Sequence, residues 1–185
     1  RVTGIDSLLV GYGFRPQSEL TSILGCEHGF DENAGGWRCL ADPLSGATSV
    51  PGVYAAGETT GLGGAEPARL SGAIAGLAVA EARGAGSTEA KRWRLGRRLG
   101  RARRFADAIN RNYPLPAGLD DLMSDETVVC RCEDVTAGDV RRELRGGADD
   151  YLGVKLWSGD GMGPCQGRIC QASLLRLLAS ETGRA

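Results

Sequence analysis

The chain has 185 residues, 22 Lys and Arg against 23 Asp and Glu, a formal net charge of −1 and a single histidine. That balance argues against a protein built to neutralise nucleic-acid phosphate, and no apolar run is long enough to span a bilayer. The length allows one or two domains.

The opening "RVTGIDSLLVGYGF" lacks the charged, apolar, then small layout of a signal peptide. It also lacks an initiator Met, and "IDSLLVGYG" (5–13) already predicts a strand, so we expect a piece of a longer parent chain. "SVPGVYAAGE" predicts a Pro-Gly turn, a short buried strand from Val53 to Ala56, and then Gly57. After "TTGLGGAE" comes "PARLSGAIAGLAVAEAR", a predicted helix with Pro67 in its first turn. Its small residues Ser71, Gly72, Ala75, Gly76 and Val79 fall at helical spacing and suit close packing on a sheet. A strand, a glycine turn and a helix start together let backbone N–H groups approach an anion or polar cofactor. A tight turn with close helix packing accounts for the same residues.

The middle of the chain, "KRWRLGRRLGRARRF", holds eight basic residues and no acid. We read it as a helix with an apolar stripe (Trp93, Leu95, Leu99, Phe105) and a solvated Arg face that packs across two domains. The other readings of that charge are a nucleic-acid patch and a dock for a partner subunit. "NYPLPAGLDD" then forms a loop, and no internal repeat is present.

Six cysteines occur: Cys26, Cys39, Cys130, Cys132, Cys165 and Cys170. Nothing suggests export, and clustered cysteines in a cytoplasmic chain point to metal or redox roles. One residue separates Cys130 from Cys132, thirty-two separate Cys132 from Cys165, and four separate Cys165 from Cys170. Thiols one residue apart on a strand point to opposite faces unless the chain bends around an ion or cluster. The second pair lies among Gly159, Gly161, Gly163, Pro164 and Gly167, which leave room for backbone N–H groups to reach sulfur. "RICQASLLRLLASET" reads as a helix, apolar at Ile169, Leu174, Leu175 and Leu178, with Cys170 in its first turn. A helix N-terminus favours the negative charge of a four-thiolate iron-sulfur cluster. Between the pairs, "TAGDVRRELRGG" reads as a short helix opened by a Thr136/Asp139 capping box and ended at Gly146 or Gly147. "DDYLGVKLWSGDG" follows as an extended or second helical piece. A zinc site is the rival reading, although zinc pairs are usually C-x-x-C. Cys26 and Cys39, with His28 near them, have no ligand spacing, and one histidine supports no Ser-His-Asp or Cys-His set.

"TSVPGVYAAGETTGLGGAEPARLSGAIAG" resembles the C-terminal FAD-binding segment of two-dinucleotide-domain flavoprotein reductases. The opening "LLVGYGFRPQSEL" resembles the strand that leaves the pyridine-nucleotide domain of that family. The resemblance implies flavin contacts at Gly57, Glu58, Gly64, Ala65 and Glu66, with Glu58 standing where the family has Asp, one methylene shorter. The family's G-x-G-x-x-G fingerprint is missing, which again implies a longer parent.

"VVCRCEDVTAGDV" and "VKLWSGDGMGPCQGRIC" closely resemble the [2Fe-2S]-binding domain named after bacterioferritin-associated ferredoxin. The spacing of the second pair is similar to the version fused to flavoprotein dehydrogenases of the opine oxidase, proline or hydroxyproline dehydrogenase and hydrogen cyanide synthase type. The resemblance implies Cys130, Cys132, Cys165 and Cys170 as cluster ligands.

These readings together predict an α/β fragment of a two-dinucleotide-binding-domain flavoprotein followed by a small, mainly helical [2Fe-2S] domain. The expected boundaries are residues 1–83 for the FAD/NAD(P)-domain segment, 84–127 for a helical linker and 128–185 for the [2Fe-2S] domain. The expected role is electron transfer, with FAD and a [2Fe-2S] cluster, in an amine or amino-acid dehydrogenase or oxidase complex. We expect this piece to be inactive alone and to hold no catalytic residue. A companion flavoprotein subunit of the amino-acid-oxidase type is the implied partner; nucleic acid is not, and any membrane association would run through that partner. A stand-alone ferredoxin-like docking module and a zinc-stabilised binding domain are the alternatives.

Overall fold

The computed structural model describes residues 3–7, 9, 11, 13–114 and 117–184. The chain divides into two compact units, Arg1–Leu115 and Pro116–Ala185, each taken by itself. No helix among the described residues is long and apolar enough to cross a membrane.

In the first unit the strand expected over 5–13 falls partly on residues 8, 10 and 12, which lie outside the described residues; 5–7, 9, 11 and 13 carry no regular structure. Regular structure starts with a short helix, α1 (Glu19–Ile23), and an antiparallel hairpin of β1 (His28–Asp31) and β2 (Gly36–Cys39). His28 pairs with Cys39, and Phe30 meets Trp37 edge to face at 5.7 Å. The expected strand Val53–Ala56 is reduced to one bridge between Ala47 and Tyr54. The Pro51-Gly52 turn folds Val53 back onto Val50, and the Val53 and Gly46 carbonyls accept from Thr48 and Ala55 N–H. These local bonds leave no further strand among the described residues to extend the pairing.

Helices α2 (Ala65–Ala82) and α3 (Glu89–Asn112) pack on each other through Leu70 and Ile74 of α2 and Leu95, Leu99 and Ala102 of α3. Residues 95, 99 and 102 follow an i, i+4, i+7 stripe, so they share one face. Trp93 and Phe105 fall off that stripe and stand exposed, against the sequence expectation. α3 therefore packs within the first unit, on α2. Of the small residues expected inside α2, Ser71 and Ala75 are buried, while Gly72, Gly76 and Val79 face outward. The turn at 42–46 also closes on α2: a Cβ at Gly46, where φ is 72°, would lie 2.8 Å from the Ala75 Cβ. Arg92 ties the helices together by pairing with Glu81 at 2.8 Å and donating to Thr88 Oγ1 and the Leu44 carbonyl. The charge of α3 is thus partly used inside the fold.

The second unit is mainly helical. A 3-10 turn (Ala117–Leu122) leads to a two-stranded ladder of β3 (Val128–Cys130) and β4 (Val135–Thr136). Helices α4 (Ala137–Gly146), α5 (Tyr151–Ser158) and α6 (Gln171–Thr182) follow. The capping box forms as the sequence predicts: Asp139 N–H donates to Thr136 Oγ1, and Thr136 N–H donates to Asp139 Oδ2. Gly147, in the left-handed region, ends α4. Asp150 caps α5 by accepting from Gly153 N–H at 2.6 Å, and Gly159 ends it. The core gathers Val129, Val135, Val140, Val154, Leu174, Leu177 and Leu178. Ile169 and Leu175, expected on the apolar face, are exposed instead.

Candidate metal centre

The ladder and the loop after α5 bring the four clustered cysteines together. Cys130 ends β3 fully buried. The chain then turns through 131–134, with Asp134 at φ 51°, and this bend puts Cys132 on the surface rather than on the opposite face of a strand. Cys165 lies half-buried in the loop 159–170, and Cys170 is the buried N-cap of α6. Gln166 adopts the left-handed region at φ 52° and closes the loop by donating from Nε2 to the Met162 and Gly163 carbonyls. Gly163 makes the approach of the two segments sterically feasible. A Cβ there would stand 2.3 Å from the Cys132 Cβ and 3.4 Å from its Sγ.

The result is two facing pairs, an inner one of Cys130 and Cys170 and an outer one of Cys132 and Cys165. Backbone N–H groups of the loop point at the outer sulfurs, as the glycines suggested. The N–H of Ile169 foremost, with those of Gly167 and Arg168 and the Cys132 thiol, holds the Cys165 thiol below its ordinary value. Cys132 takes the Cys165 N–H, yet the Cys165 thiol, burial and the nearby Cys130 raise it. The Cys170 thiol is pushed up to about 12, by burial first and then by Asp160 and Cys130. In apolar surroundings a bare thiolate is unfavourable; a cation that takes the sulfur as a ligand reverses the balance.

Asp160, which the sequence reading missed, completes the inner side. It is fully buried, and neither carboxylate oxygen has a hydrogen-bond partner of ordinary geometry. Its oxygen and the Cys130 and Cys170 sulfurs all lie within 4.8 Å of one another. Burial raises its pKa, against the Cys170 thiol and the Lys155 charge, which favour the ionised form. An Asp between two glycines in "SGDGMG" reads as a turn residue, so nothing local betrayed its depth.

The donor set suits a four-thiolate cluster. Four sulfurs converge in two pairs, and N–H groups already face the outer one, as an anionic centre requires. The second constellation is less uniform. Gly57–Thr60 form a 3-10 turn, and Gly57 N–H donates to Ser71 Oγ at 2.9 Å. Glu58 Oε1 accepts from the N–H groups of Gly63, at 3.2 Å, and Gly64, at 2.7 Å, so it braces the loop entering α2. Gly57 and Glu58 line an open cleft of about 580 Å³, solvent at its mouth included, together with Asp31, Arg38, Arg103 and Asp107. Gly64 caps α2, Ala65 begins it, and the exposed Glu66 pairs with Arg69 and Arg98 rather than facing the cleft. Arg103, unnoticed in the sequence, is half-buried there and donates to Thr60 Oγ1; burial first, then the charge of Arg38, lowers its pKa. Cys26 and Cys39 are both buried and pack with Ala55. Cys26 donates to Thr48 Oγ1, and the His28 ring bonds Thr21 Oγ1 and the Cys26 carbonyl. Burial raises the Cys39 thiol.

Residues 128–180 match the family of the BFD-like [2Fe-2S] binding domain, a stretch that contains all four clustered cysteines. The chain carries such a domain. It is 38% identical over 182 residues to hydrogen cyanide synthase subunit HcnB of Pseudomonas protegens, covering 97% of this chain and 38% of that protein. The HcnB subunit of Pseudomonas aeruginosa is 37% identical over 183 residues, 97% of this chain and 39% of its own. An opine oxidase subunit of Rhizobium meliloti is 34% identical over 182 residues, 95% of this chain and 34% of its own. The chain is thus homologous over most of its length to subunits of these enzymes, and spans between a third and two fifths of theirs. No solved structure matches it significantly.

Proposed function

We propose that this chain is the electron-relay part of an FAD- and [2Fe-2S]-dependent oxidoreductase that oxidises an amine or amino acid. Cys130, Cys132, Cys165 and Cys170 hold one [2Fe-2S] cluster. The observation that carries the reading is the convergence of these four thiols, in two facing pairs, inside a segment that matches a [2Fe-2S] domain. The cluster supplies one-electron transfer; the chain supplies its place and surroundings. The inner pair anchors it in the core. The outer pair, with Cys132 exposed, brings its edge to the surface where a redox partner can approach. The Ile169, Gly167 and Arg168 N–H groups stabilise charge on the Cys165 sulfur, and the Cys165 N–H on that of Cys132, and so favour the reduced state.

The first unit, on this reading, is the end of a flavin-binding domain, with Gly57, Glu58, Gly64, Ala65 and Glu66 on the flavin side. The outward Gly72, Gly76 and Val79 of α2 support it, because such a face can take a further layer at close range. The substrate chemistry lies with a companion flavoprotein, as the relatives' names as subunits suggest. Anaerobic preparation with iron and sulfide tests the centre. About two iron and two acid-labile sulfide per chain, with visible charge-transfer absorption, are expected. A colourless chain with one zinc would overturn the reading. In a longer parent, FAD should copurify, and Glu58→Ala should lower its occupancy.

A further inference from the structure

The inner side of the centre contains more than two thiols. An unpaired carboxylate in a protein interior is strongly disfavoured unless a cation or several donors meet it. Neither oxygen of the fully buried Asp160 has a hydrogen-bond donor of ordinary geometry. The segment around it is firmly placed: Gly159 ends α5 in the left-handed region, and Asp160 N–H donates to Ser158 Oγ at 3.1 Å. The carboxylate faces the Cys130 and Cys170 sulfurs, and the three donor atoms lie within 4.8 Å of one another. Ligands around one tetrahedral ion at about 2.0–2.3 Å stand less than 4 Å apart, so a small contraction brings the three onto a single metal.

We propose that Cys130, Cys170 and Asp160 form a mononuclear site for one divalent cation of the Fe²⁺, Co²⁺ or Zn²⁺ class, with Asp160 as an oxygen ligand, occupied when no sulfide is present. Two thiolates and one carboxylate suit borderline, tetrahedral ions and not Ca²⁺ or Mg²⁺, which favour all-oxygen shells. Binding expels the two thiol protons to solvent. Three protein ligands leave the fourth position open. The outer pair takes no part. The site shares Cys130 and Cys170 with the cluster proposed above but does not depend on it, because no bridging sulfide is needed.

The test is anaerobic Co²⁺ titration of the metal-free chain without sulfide. One equivalent should bind, with tetrahedral d–d bands and a sulfur-to-cobalt charge-transfer band. Cys132→Ser and Cys165→Ser should leave both features unchanged. Cys130→Ser should remove about half of the charge-transfer intensity, one of two thiolates. Asp160→Asn should weaken Co²⁺ binding by at least roughly tenfold, the loss already typical of groups that merely orient a ligand. Equal affinity and unchanged d–d bands in Asp160→Asn would overturn the proposal, as would charge-transfer intensity that falls in Cys132→Ser or Cys165→Ser. The latter pair, lying outside the core, keeps the test decisive even if Asp160→Asn folds poorly. Reconstitution of the unaltered chain with iron and sulfide reports on the cluster separately: its failure removes the cluster reading and leaves the cobalt result standing.

Discussion

Gly163→Ala is the sharpest test of how the two halves of the centre meet. The added methyl would stand 2.3 Å from the Cys132 Cβ, 2.7 Å from Glu133 Oε1 and 3.4 Å from the Cys132 Sγ. Glu133 is exposed and can swing away, but the Cys132 Cβ is fixed to the backbone of the 131–134 turn. Restoring an ordinary contact of about 3.4 Å requires a shift of about 1 Å between the turn and the loop. Metal-ligand distances tolerate only about 0.2 Å, so the outer pair can no longer share a centre with the inner one. Overpacking of this kind costs about 1–3 kcal/mol, which a core as large as that of the second unit should survive. The expected result is a folded chain that assembles little or no cluster. The assay is paired: far-UV circular dichroism and a urea melt for the fold, and iron, sulfide and visible absorption after anaerobic reconstitution for the centre. A Gly163→Ala chain with full cluster content and an unchanged visible spectrum would refute the placement of Cys132 against the loop.

Other outcomes follow from the same geometry. Gly72→Ala on the open face of α2 meets nothing within 4 Å and should stabilise the first unit by about 0.5–1 kcal/mol in a denaturant melt, since glycine is unfavourable in a helix interior. Leu174→Ala, at a fully buried position, should cost about 2–5 kcal/mol, whereas Ile169→Ala, 69% exposed, should stay within about 0.5 kcal/mol. Thr136→Ala should cost about 0.5–2 kcal/mol through loss of the cap. The Thr136 N–H foremost, then its hydroxyl and Arg142, holds the Asp139 carboxyl below its ordinary range. Its contribution is therefore complete above an unfolded value of about 3.9 and lost as pH falls through the lower folded value. Urea melts should show the gap between the unaltered chain and Asp139→Asn narrowing below about pH 4.

What could be read from the sequence was local chemistry. The Thr136/Asp139 box, the glycine that ends α4 and the helix after Cys170 are each determined by neighbours within a few positions, and each formed, although α6 starts at Gln171 with Cys170 as its N-cap rather than in its first turn. A bend was implied by the single-residue gap between Cys130 and Cys132, but the expected bend turned both sulfurs inward, whereas Cys132 stands exposed. Depth was harder to read. A leucine at 174 and one at 175 look alike in the sequence, and only the packing of α6 into the cluster with Val140 and Val154 decides which enters the core. Trp93 and Phe105 misled for the same reason: bulky apolar residues on a helix count as core only if they share the stripe of Leu95 and Leu99. The strand expected at Val53–Ala56 is reduced to one bridge because a strand needs a partner along its length, and among the described residues only Ala47 supplies one. Asp160 and Arg103 escaped because their burial depends on elements distant in sequence.

The split between a sheltered and an open pair sets the order in which the metal-free chain ages in air. Oxidants attack accessible thiolates first. Cys165, whose thiol is held low by loop N–H groups, is the better nucleophile, and the exposed Cys132 is its neighbour. The first lesion is then a bridge between these two, repairable by a mild thiol reductant. Cys130 and Cys170, both walled in by the core, the latter with its thiol raised by burial, stay reduced, and mass mapping of briefly aerated chain should find them free. Damage of this kind starts at the exposed edge of the centre and leaves the buried pair intact, so that the centre can be rebuilt on it.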